Sequence, residues 1–130
     1  MLVKEISYVD YDGNERKEDF YFNISKAELA ELEFSVDGGM KNIIERITKK
    51  QNNPEIMALF KRIILLSYGE KSNDGKRFIK SKELSESFVQ TEAYTELFME
   101  LFTDSKAAAD FINAVLPDIS NLNKHSETPV

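Results

Sequence analysis

The chain has 130 residues, of which 42% are hydrophobic, which suits one domain with its own core and is too short for two domains of ordinary size. It contains no cysteine, which excludes disulfides, thiolate metal sites and a cysteine nucleophile. No apolar run reaches the ~20 residues of a membrane span, and the first residues lack the apolar core of a signal peptide, so we expect a soluble cytoplasmic protein.

The net charge of −6 is unevenly distributed along the chain. Residues 1–39 carry ten acidic and four basic residues, residues 40–82 carry four and eleven, and residues 83–130 carry nine and two. These blocks either neutralise one another in the folded domain or give the middle block a basic surface for an acidic partner. An alternative function is therefore a small nucleic-acid-binding or regulatory protein that uses segment 40–82, although the acidic overall charge argues against phosphate as a partner.

Two strands with alternating apolar residues begin the chain. Their inward-facing residues are Leu2, Ile6 and Tyr8 in the first strand and Phe20, Phe22 and Ile24 in the second. A two-residue Asp-Gly turn would split these apolar sets. We therefore predict a three-residue loop, residues 12–14, with Asn14 in the left-handed conformation. The resulting register pairs Ile6 with Phe20, Leu2 with Ile24 and Tyr8 with Glu18.

Two short helices follow the hairpin. Ser25 and Glu28 form a capping box, which predicts a helix from Lys26 to about Glu33. Its inward residues are Leu29 and Leu32. The glycine pair in Asp37-Gly38-Gly39 breaks the chain and offers a cap to a second helix, from Met40 to about Gln51. In that helix Met40, Ile43, Ile44 and Ile47 keep helical spacing.

The stretch from residue 53 to residue 81 organises the rest of the chain. Asn53 can cap a helix, Pro54 suits its first position and Gly69 can end it in the left-handed conformation, which predicts a helix over residues 54–68. Its apolar residues span an arc of roughly 180°, so we expect it at the centre of the core. They are Ile56, Met57, Leu59, Phe60, Ile63, Ile64 and Leu66. Residues 70–81, with a turn at Asp74-Gly75, are predicted as a polar surface loop.

Three further helices are predicted after this loop. Ser81 starts one that runs through Phe88, Thr91 starts the next, and Thr103-Asp104 caps the last, which ends at Pro117. Their inward residues are Tyr94, Leu97, Phe98 and Leu101 in the second and Ala108, Phe111, Ile112 and Val115 in the last. The predicted fold class is α+β: an N-terminal antiparallel β-hairpin packed on a mainly helical domain of five to six helices. Residues 1–117 form this single domain, and residues 118–130 a flexible C-terminal tail.

No motif in the sequence points to catalysis. His125 is the single histidine and lies in the tail, where nothing can hold it in a catalytic geometry. Gly69-Glu70-Lys71-Ser72 lacks the paired glycines of a phosphate-binding loop, and Asp10 and Asp12 lack the rest of a twelve-residue calcium loop. We therefore predict a non-enzymatic interaction protein with no catalytic residue, no metal and no cofactor.

Several segments carry a resemblance to a known family. They are Glu18-Asp19-Phe20-Tyr21-Phe22-Asn23, Lys26-Ala27-Glu28-Leu29, Gly38-Gly39-Met40, Pro54-Glu55-Ile56, Phe60-Lys61, Ser67-Tyr68-Gly69-Glu70-Lys71-Ser72, Asp74-Gly75-Lys76-Arg77-Phe78, Gln90-Thr91-Glu92-Ala93-Tyr94, Leu97-Phe98-Met99-Glu100-Leu101 and residues 107–117. In their order and spacing over roughly residues 1–117, the chain resembles the tail assembly chaperones of long-tailed, non-contractile bacteriophages and related prophages.

The resemblance implies a protein that binds the tape measure protein in the host cytoplasm, keeps it soluble and helps tail-tube subunits assemble around it. Such chaperones are absent from the finished virion. In many members a ribosomal frameshift makes a longer product whose extension recruits the tail-tube protein. The resemblance implies no membrane partner, leaves a homo-oligomer open and carries no catalytic or binding residue onto this sequence.

The residues themselves suggest where a partner helix would bind. Leu65 lies at about 180° from the apolar arc of the central helix, close to Lys61 and Arg62. Met99 lies similarly off the stripe of its own helix. Either other helices cover these residues or a partner does. The hypothetical partner-binding residues are Lys61, Arg62, Leu65, Lys76 and Arg77.

Overall fold

The computed structural model describes residues 1–35, 38–49 and 54–117. Its elements are β1 Leu2–Val9, β2 Glu15–Phe22, α1 Lys26–Ser35, α2 Gly39–Thr48, α3 Pro54–Ser67, β3 Tyr68–Lys71, β4 Phe78–Ile79, α4 Lys82–Val89, α5 Glu92–Thr103 and α6 Ser105–Val115. The predicted α+β class, with an N-terminal antiparallel strand pair and helices after it, is confirmed. The predicted tail, residues 118–130, and the cap predicted at Asn53 lie outside the described residues, whereas the cap predicted within Asp37-Gly38-Gly39 is found at Gly38.

The helix starts predicted from the caps Ser25, Ser81, Thr91 and Asp104 are confirmed, because each depends on neighbouring side chains. Helix α2 instead begins at Gly39, one residue before the predicted start, and has no side-chain cap hydrogen bond. Glu28 N–H donates to Ser25 Oγ at 3.1 Å, and Ser25 N–H donates to Glu28 Oε1 at 2.9 Å, which is the capping box of α1. Ser81, Thr91 and Asp104 accept backbone N–H groups at the starts of α4, α5 and α6. Helix α2 ends at Thr48, earlier than predicted.

Over residues 1–35, 38–49 and 54–117 the sheet has four antiparallel strands in the order β1-β2-β3-β4, which is two strands more than predicted. The polar loop predicted over residues 70–81 contains the end of β3 and all of β4. The prediction that Gly69 ends α3 in the left-handed conformation is also wrong. Gly69 lies in β3 opposite Tyr21, because the chain pairs with β2 as soon as α3 ends. The predicted turn at Asp74-Gly75 is confirmed, with Gly75 at φ +75°.

The predicted register of the first hairpin is wrong by two residues. The loop comprises residues 11–13 rather than 12–14, and Gly13, at φ +83°, takes the left-handed position assigned to Asn14. The Asp10 carboxylate decides the position of the loop, because it accepts the N–H groups of Asp12 and Asn14, both at 2.9 Å. The observed register pairs Leu2 with Phe22, Lys4 with Phe20, Ile6 with Glu18 and Tyr8 with Arg16. A two-residue shift keeps every side chain on its predicted face.

One core joins the sheet to the helices. Helix α3 contributes four buried apolar residues to it: Ile56, Phe60, Ile63 and Ile64. The ring of Phe88 stacks on Tyr68 with centroids 4.1 Å apart and lies 5.5 Å from Phe20 and 5.9 Å from Phe22. Ile24 N–H donates to Val115 O at 2.9 Å, which ties the exit of β2 to the end of α6.

The buried arc of α3 is narrower than its sequence predicts. Met57 is 38% exposed, although its position in the apolar arc predicts burial, and Leu59 and Leu66 are only partly buried. Met99, for which cover by other helices was one of the two alternatives, is 48% exposed, so the other described helices do not cover it. Helix α3 is therefore buried on one side, and its other side is available to form an open groove.

Candidate partner-binding groove

A groove of about 610 Å³ lies between α3 and α4 and the end of β4. Its apolar lining residues are Ala58, Leu65 and Leu66. Its polar lining residues are Glu28, Lys61, Arg62, Lys80, Ser81, Lys82 and Ser85. The groove thus has an apolar floor and four basic side chains along its sides.

Helical spacing places one wall of this groove on α3. Ala58, Lys61, Arg62 and Leu65 follow one another at intervals of three, one and three residues, so they lie on one face of the helix. Ser85 on α4 forms part of the opposite wall, and its hydroxyl donates to Leu65 O at 3.3 Å. This hydrogen bond holds the two walls together at the floor.

Leu65 is half-buried rather than free on the outer surface of α3. It packs against the core and also lines a second, adjoining cavity of about 270 Å³ together with Lys61, Ser85 and Val89. The first alternative for Leu65, cover by other helices of the chain, therefore holds in part, and cover by a partner stays a prediction. Helix α4 covers one side of the residue, and the remaining surface faces the groove.

The four basic residues of the groove differ in how far they are already neutralised. Lys80 Nζ lies 2.7 Å from Glu28 Oε1 and donates to Asn23 O at 2.6 Å. Partial burial acts to raise the pKa of Glu28, but hydrogen bonds from Lys80 and the Ser25 backbone outweigh it and hold that pKa below its ordinary value. Lys80 and Glu28 therefore form a pair that belongs to the fold.

The remaining basic residues leave the groove positively charged. Lys82 has only a loose contact with Glu86, at 3.7 Å between exposed side chains. Lys61 and Arg62 are exposed, and neither forms an ion pair with a carboxylate in the part of the chain that the structure describes. These two cations are therefore available to an acidic partner.

The structure brings three of the five hypothetical partner-binding residues together. Lys61, Arg62 and Leu65 all line the groove. Lys76 and Arg77 are exposed in the turn between β3 and β4 and do not line it. That turn is held by Asp74, whose Oδ1 accepts the Ser72 hydroxyl at 2.7 Å and Lys76 N–H at 3.0 Å.

Sequence reasoning missed the other groove residues. Ala58 could have been found, because it lies on the same helical face as Lys61 and Leu65. Lys80 and Lys82 flank the cap Ser81, and only the packing of α4 beside α3 turns them toward the groove. Their place in the site therefore depends on tertiary structure.

The chemistry of the lining favours non-covalent binding. Ser81 Oγ accepts Leu84 N–H as a helix cap, and the Ser85 hydroxyl donates to a backbone carbonyl, so both hydroxyls have structural roles. Among the described residues, no group of three or more His, Cys, Asp or Glu side chains is placed to hold a metal ion. None of the described helices is long and apolar enough to cross a membrane.

Comparison with known proteins adds one match. A family model described as phage tail assembly chaperone matches residues 1–128. No curated protein and no solved structure matches the chain. The family match covers nearly the whole sequence, including every element described above.

Proposed function

The chain belongs to the phage tail assembly chaperone family, and from that membership we propose that it binds the tape measure protein, keeps it soluble and promotes polymerisation of the tail tube around it. It acts in the host bacterial cytoplasm as a binding protein without catalytic activity and is absent from the mature virion. The tail-tube protein is recruited through a frameshifted, longer form of the chain.

The observation that carries this proposal is the groove between α3 and α4. Its apolar floor and basic sides suit an amphipathic helix that presents apolar residues among acidic ones. Such a helix would bury the exposed part of Leu65, and full burial of a leucine side chain contributes about 1.5–3 kcal/mol. Because Leu65 is already half-buried, its share is a fraction of that value.

Charges beside the floor orient the partner. Lys61 and Arg62 pair with acidic side chains of the bound helix. Lys76 and Arg77 border the contact from the neighbouring turn and act mainly on the association rate, because they are solvated. The basic groove stands out in a chain whose net charge is −6, so an acidic partner is attracted to this face.

Charge reversal in the groove tests this site. We expect the double variant Lys61→Glu/Arg62→Glu to lose at least about tenfold in affinity for a tape-measure fragment in calorimetry, about 1.4 kcal/mol. The matched control Lys41→Glu/Lys106→Glu changes the net charge equally at exposed positions outside the groove, and its affinity should change much less. Equal losses in both variants would mean that overall charge, and not the groove, governs binding.

Two further variants define the extent of the contact. Leu65→Glu places a charge on the floor and should also reduce affinity at least tenfold, with circular dichroism to verify folding. Lys76→Glu/Arg77→Glu should slow association more than it speeds dissociation. Full affinity in both Leu65→Glu and Lys61→Glu/Arg62→Glu would rule out the groove as the binding site, and no binding by the unaltered chain would overturn the proposed function.

A further inference from the structure

Strand β1 presents an open edge at one end of the sheet. The strand order places β2 on one side of β1, and within the described residues no strand pairs with its other side. At eight residues, β1 is much longer than β4, the two-residue strand at the opposite end. Helix α5 packs on the inner face of β1, where Lys4 Nζ lies 3.1 Å from Glu100 Oε2, and does not extend the sheet.

The register shows which backbone groups point away from the sheet. Asp10 N–H donates to Asn14 O at 2.9 Å, so these two residues form a hydrogen-bonded pair. In an antiparallel ladder such pairs recur at every second residue, so the even-numbered residues of β1 bond to β2. The odd-numbered residues direct their N–H and C=O groups outward. They are Val3, Glu5, Ser7 and Val9.

This edge has few of the features that usually prevent pairing. Edge strands are commonly blunted by proline, by lysine, by bulges or by short length. No proline occurs in β1, and its outward side chains include Val3 and Val9, which are 47% and 52% exposed. Lys4 is a charge on the inner face, but Glu100 already neutralises it.

We propose that β1 pairs antiparallel with β1 of a second copy of this chain, so that the two sheets join across a two-fold axis. In antiparallel pairs, directly opposed residues lie on the same face, so a symmetric register places identical residues opposite each other at its centre. The central registers are those centred on Glu5, Ile6 or Ser7. The register centred on Glu5 places the Glu5 carboxylates of the two copies opposite each other. The register centred on Ser7 leaves Val3 outside the pairing.

In the register centred on Ile6, all four outward-directed residues of β1 pair with residues of β1 in the second copy. It places Val3 opposite Val9 at both ends and Glu5 opposite Ser7, so that like charges never lie directly opposite each other. Glu5 is also within 3.4 Å of Lys17 Nζ on its own chain, which offsets part of its charge. The self-complementarity of this strand favours a second copy over an unrelated peptide as the occupant of the edge.

The dimer should be weak and concentration-dependent. A single pair of strands buries less surface than a standard protein interface, and two chains of net charge −6 repel each other. Salt screens this repulsion, so the dimer should strengthen as ionic strength rises. Binding in the groove should instead weaken as ionic strength rises, because the partner and the groove carry opposite charges.

Disulfide trapping tests the register directly, because the chain has no cysteine of its own. We expect an oxidised mixture of the single variants Val3→Cys and Val9→Cys to form disulfide-linked dimers in high yield. Each variant alone should give few, because identical positions lie six residues apart along the joined strands, about 20 Å, and a disulfide needs Cα atoms within about 7 Å. Equal yields from the mixture and from either variant alone would overturn the proposal.

Sedimentation of the unmodified chain tests dimerisation itself. The dimer fraction should rise with concentration, and Val9→Lys should weaken dimerisation at least tenfold, while the matched control Met99→Lys, an exposed apolar residue on α5, leaves it unchanged. A monomer at every concentration up to the millimolar range would overturn the proposal. A dimer that Val9→Lys leaves intact would place the interface on another surface and would also overturn it.

Discussion

The two hairpins of the sheet use the same turn signal and differ in almost everything else. Asp12-Gly13 and Asp74-Gly75 both place glycine in the left-handed conformation, at φ +83° and +75°. The first hairpin has two strands of eight residues, and the second has strands of four and two. An Asp-Gly turn therefore marks a reversal of the chain, while the apolar alternation around it determines whether long strands follow.

The two ends of the sheet also offer different kinds of binding surface. Among the described residues, no strand pairs with the outer edge of the first hairpin. The second hairpin ends beside the groove, which Lys80 and Lys82 help to line. One end suits strand pairing, and the other suits an amphipathic helix. Variants that destabilise one hairpin more than the other therefore test the part of the fold that supports each surface.

The largest expected effect comes from the residue that joins the two hairpins. Phe88 contacts Phe20 and Phe22 of β2 and stacks on Tyr68 of β3. We expect Phe88→Ala to lower the free energy of unfolding by about 3–5 kcal/mol, the usual range for removing a buried phenylalanine. Urea denaturation followed by circular dichroism measures this change.

A matched control for this variant exists on α1. Phe34 is 93% exposed, so Phe34→Ala should change the free energy of unfolding by no more than about 0.5 kcal/mol. Comparable losses in the two variants would show that the aromatic cluster around Phe88 is not what joins the hairpins. Hydrogen exchange in Phe88→Ala should rise in both hairpins together, because the cluster contacts both.

The same distinction between local and distant contacts explains what the sequence could predict. The caps at Ser25, Ser81, Thr91 and Asp104 depend on residues within three positions, and all are found as predicted. Strand β3 forms because Gly69 meets Tyr21, far away in the chain, and its four residues carry no apolar alternation of their own. The predicted register of the first hairpin is wrong for a local reason, because the Asp10 carboxylate accepts two backbone N–H groups of the loop and so shifts the loop position.

The candidate groove was likewise predictable only where its residues are close together in the sequence. Lys61, Arg62 and Leu65 lie on one helix, where spacing alone places them on a common face. Lys80 and Lys82 could not be assigned, because their position depends on the packing of α4 against α3. The groove as a binding surface thus appears only when the tertiary structure is known.

Glycine substitutions distinguish the two hairpins by mechanism. A Cβ at Gly69 would lie 2.7 Å from Ile79 O and 2.7 Å from the Phe78 ring, so Gly69→Ala must push β3 and β4 apart. We expect a loss of about 1–3 kcal/mol, as for other overpacked sites. Thermal or urea unfolding measures this loss, and Phe78 signals in NMR spectra should shift.

At Gly13 the constraint is conformational, because no atom lies within 4 Å of an added Cβ. Gly13→Ala should cost about 1 kcal/mol through its left-handed backbone, and Gly13→Asn should recover much of that loss because asparagine tolerates this conformation. An equal loss for both Gly13 variants would contradict the assignment of the left-handed position to residue 13. At Gly69, by contrast, Gly69→Asn should recover none of the stability lost in Gly69→Ala, because steric contact causes the loss there.

The smallest effect concerns the ion pair that connects the second hairpin to α1. Glu28→Gln retains the capping hydrogen bond to Ser25, since glutamine also serves in a capping box, and removes only the charge that faces Lys80. Both side chains are partly exposed, so we expect a loss of no more than about 1 kcal/mol at pH 7.

The pH dependence of this loss identifies its source. The pKa of Glu28 is held below its ordinary value of 4.5 in the folded chain, so the ion pair contributes its full stability above that value. As the pH falls through the lower pKa of the folded state, Glu28 is protonated and the contribution disappears. The difference in unfolding free energy between the unaltered chain and Glu28→Gln should therefore be constant from pH 7 to about 5 and shrink below that range.

Glu96→Gln, at an exposed position on α5, is the control and should show little difference at any pH. A difference for Glu28→Gln that does not shrink at all as the pH falls below 4.5 would assign the loss to the capping hydrogen bond instead of the charge.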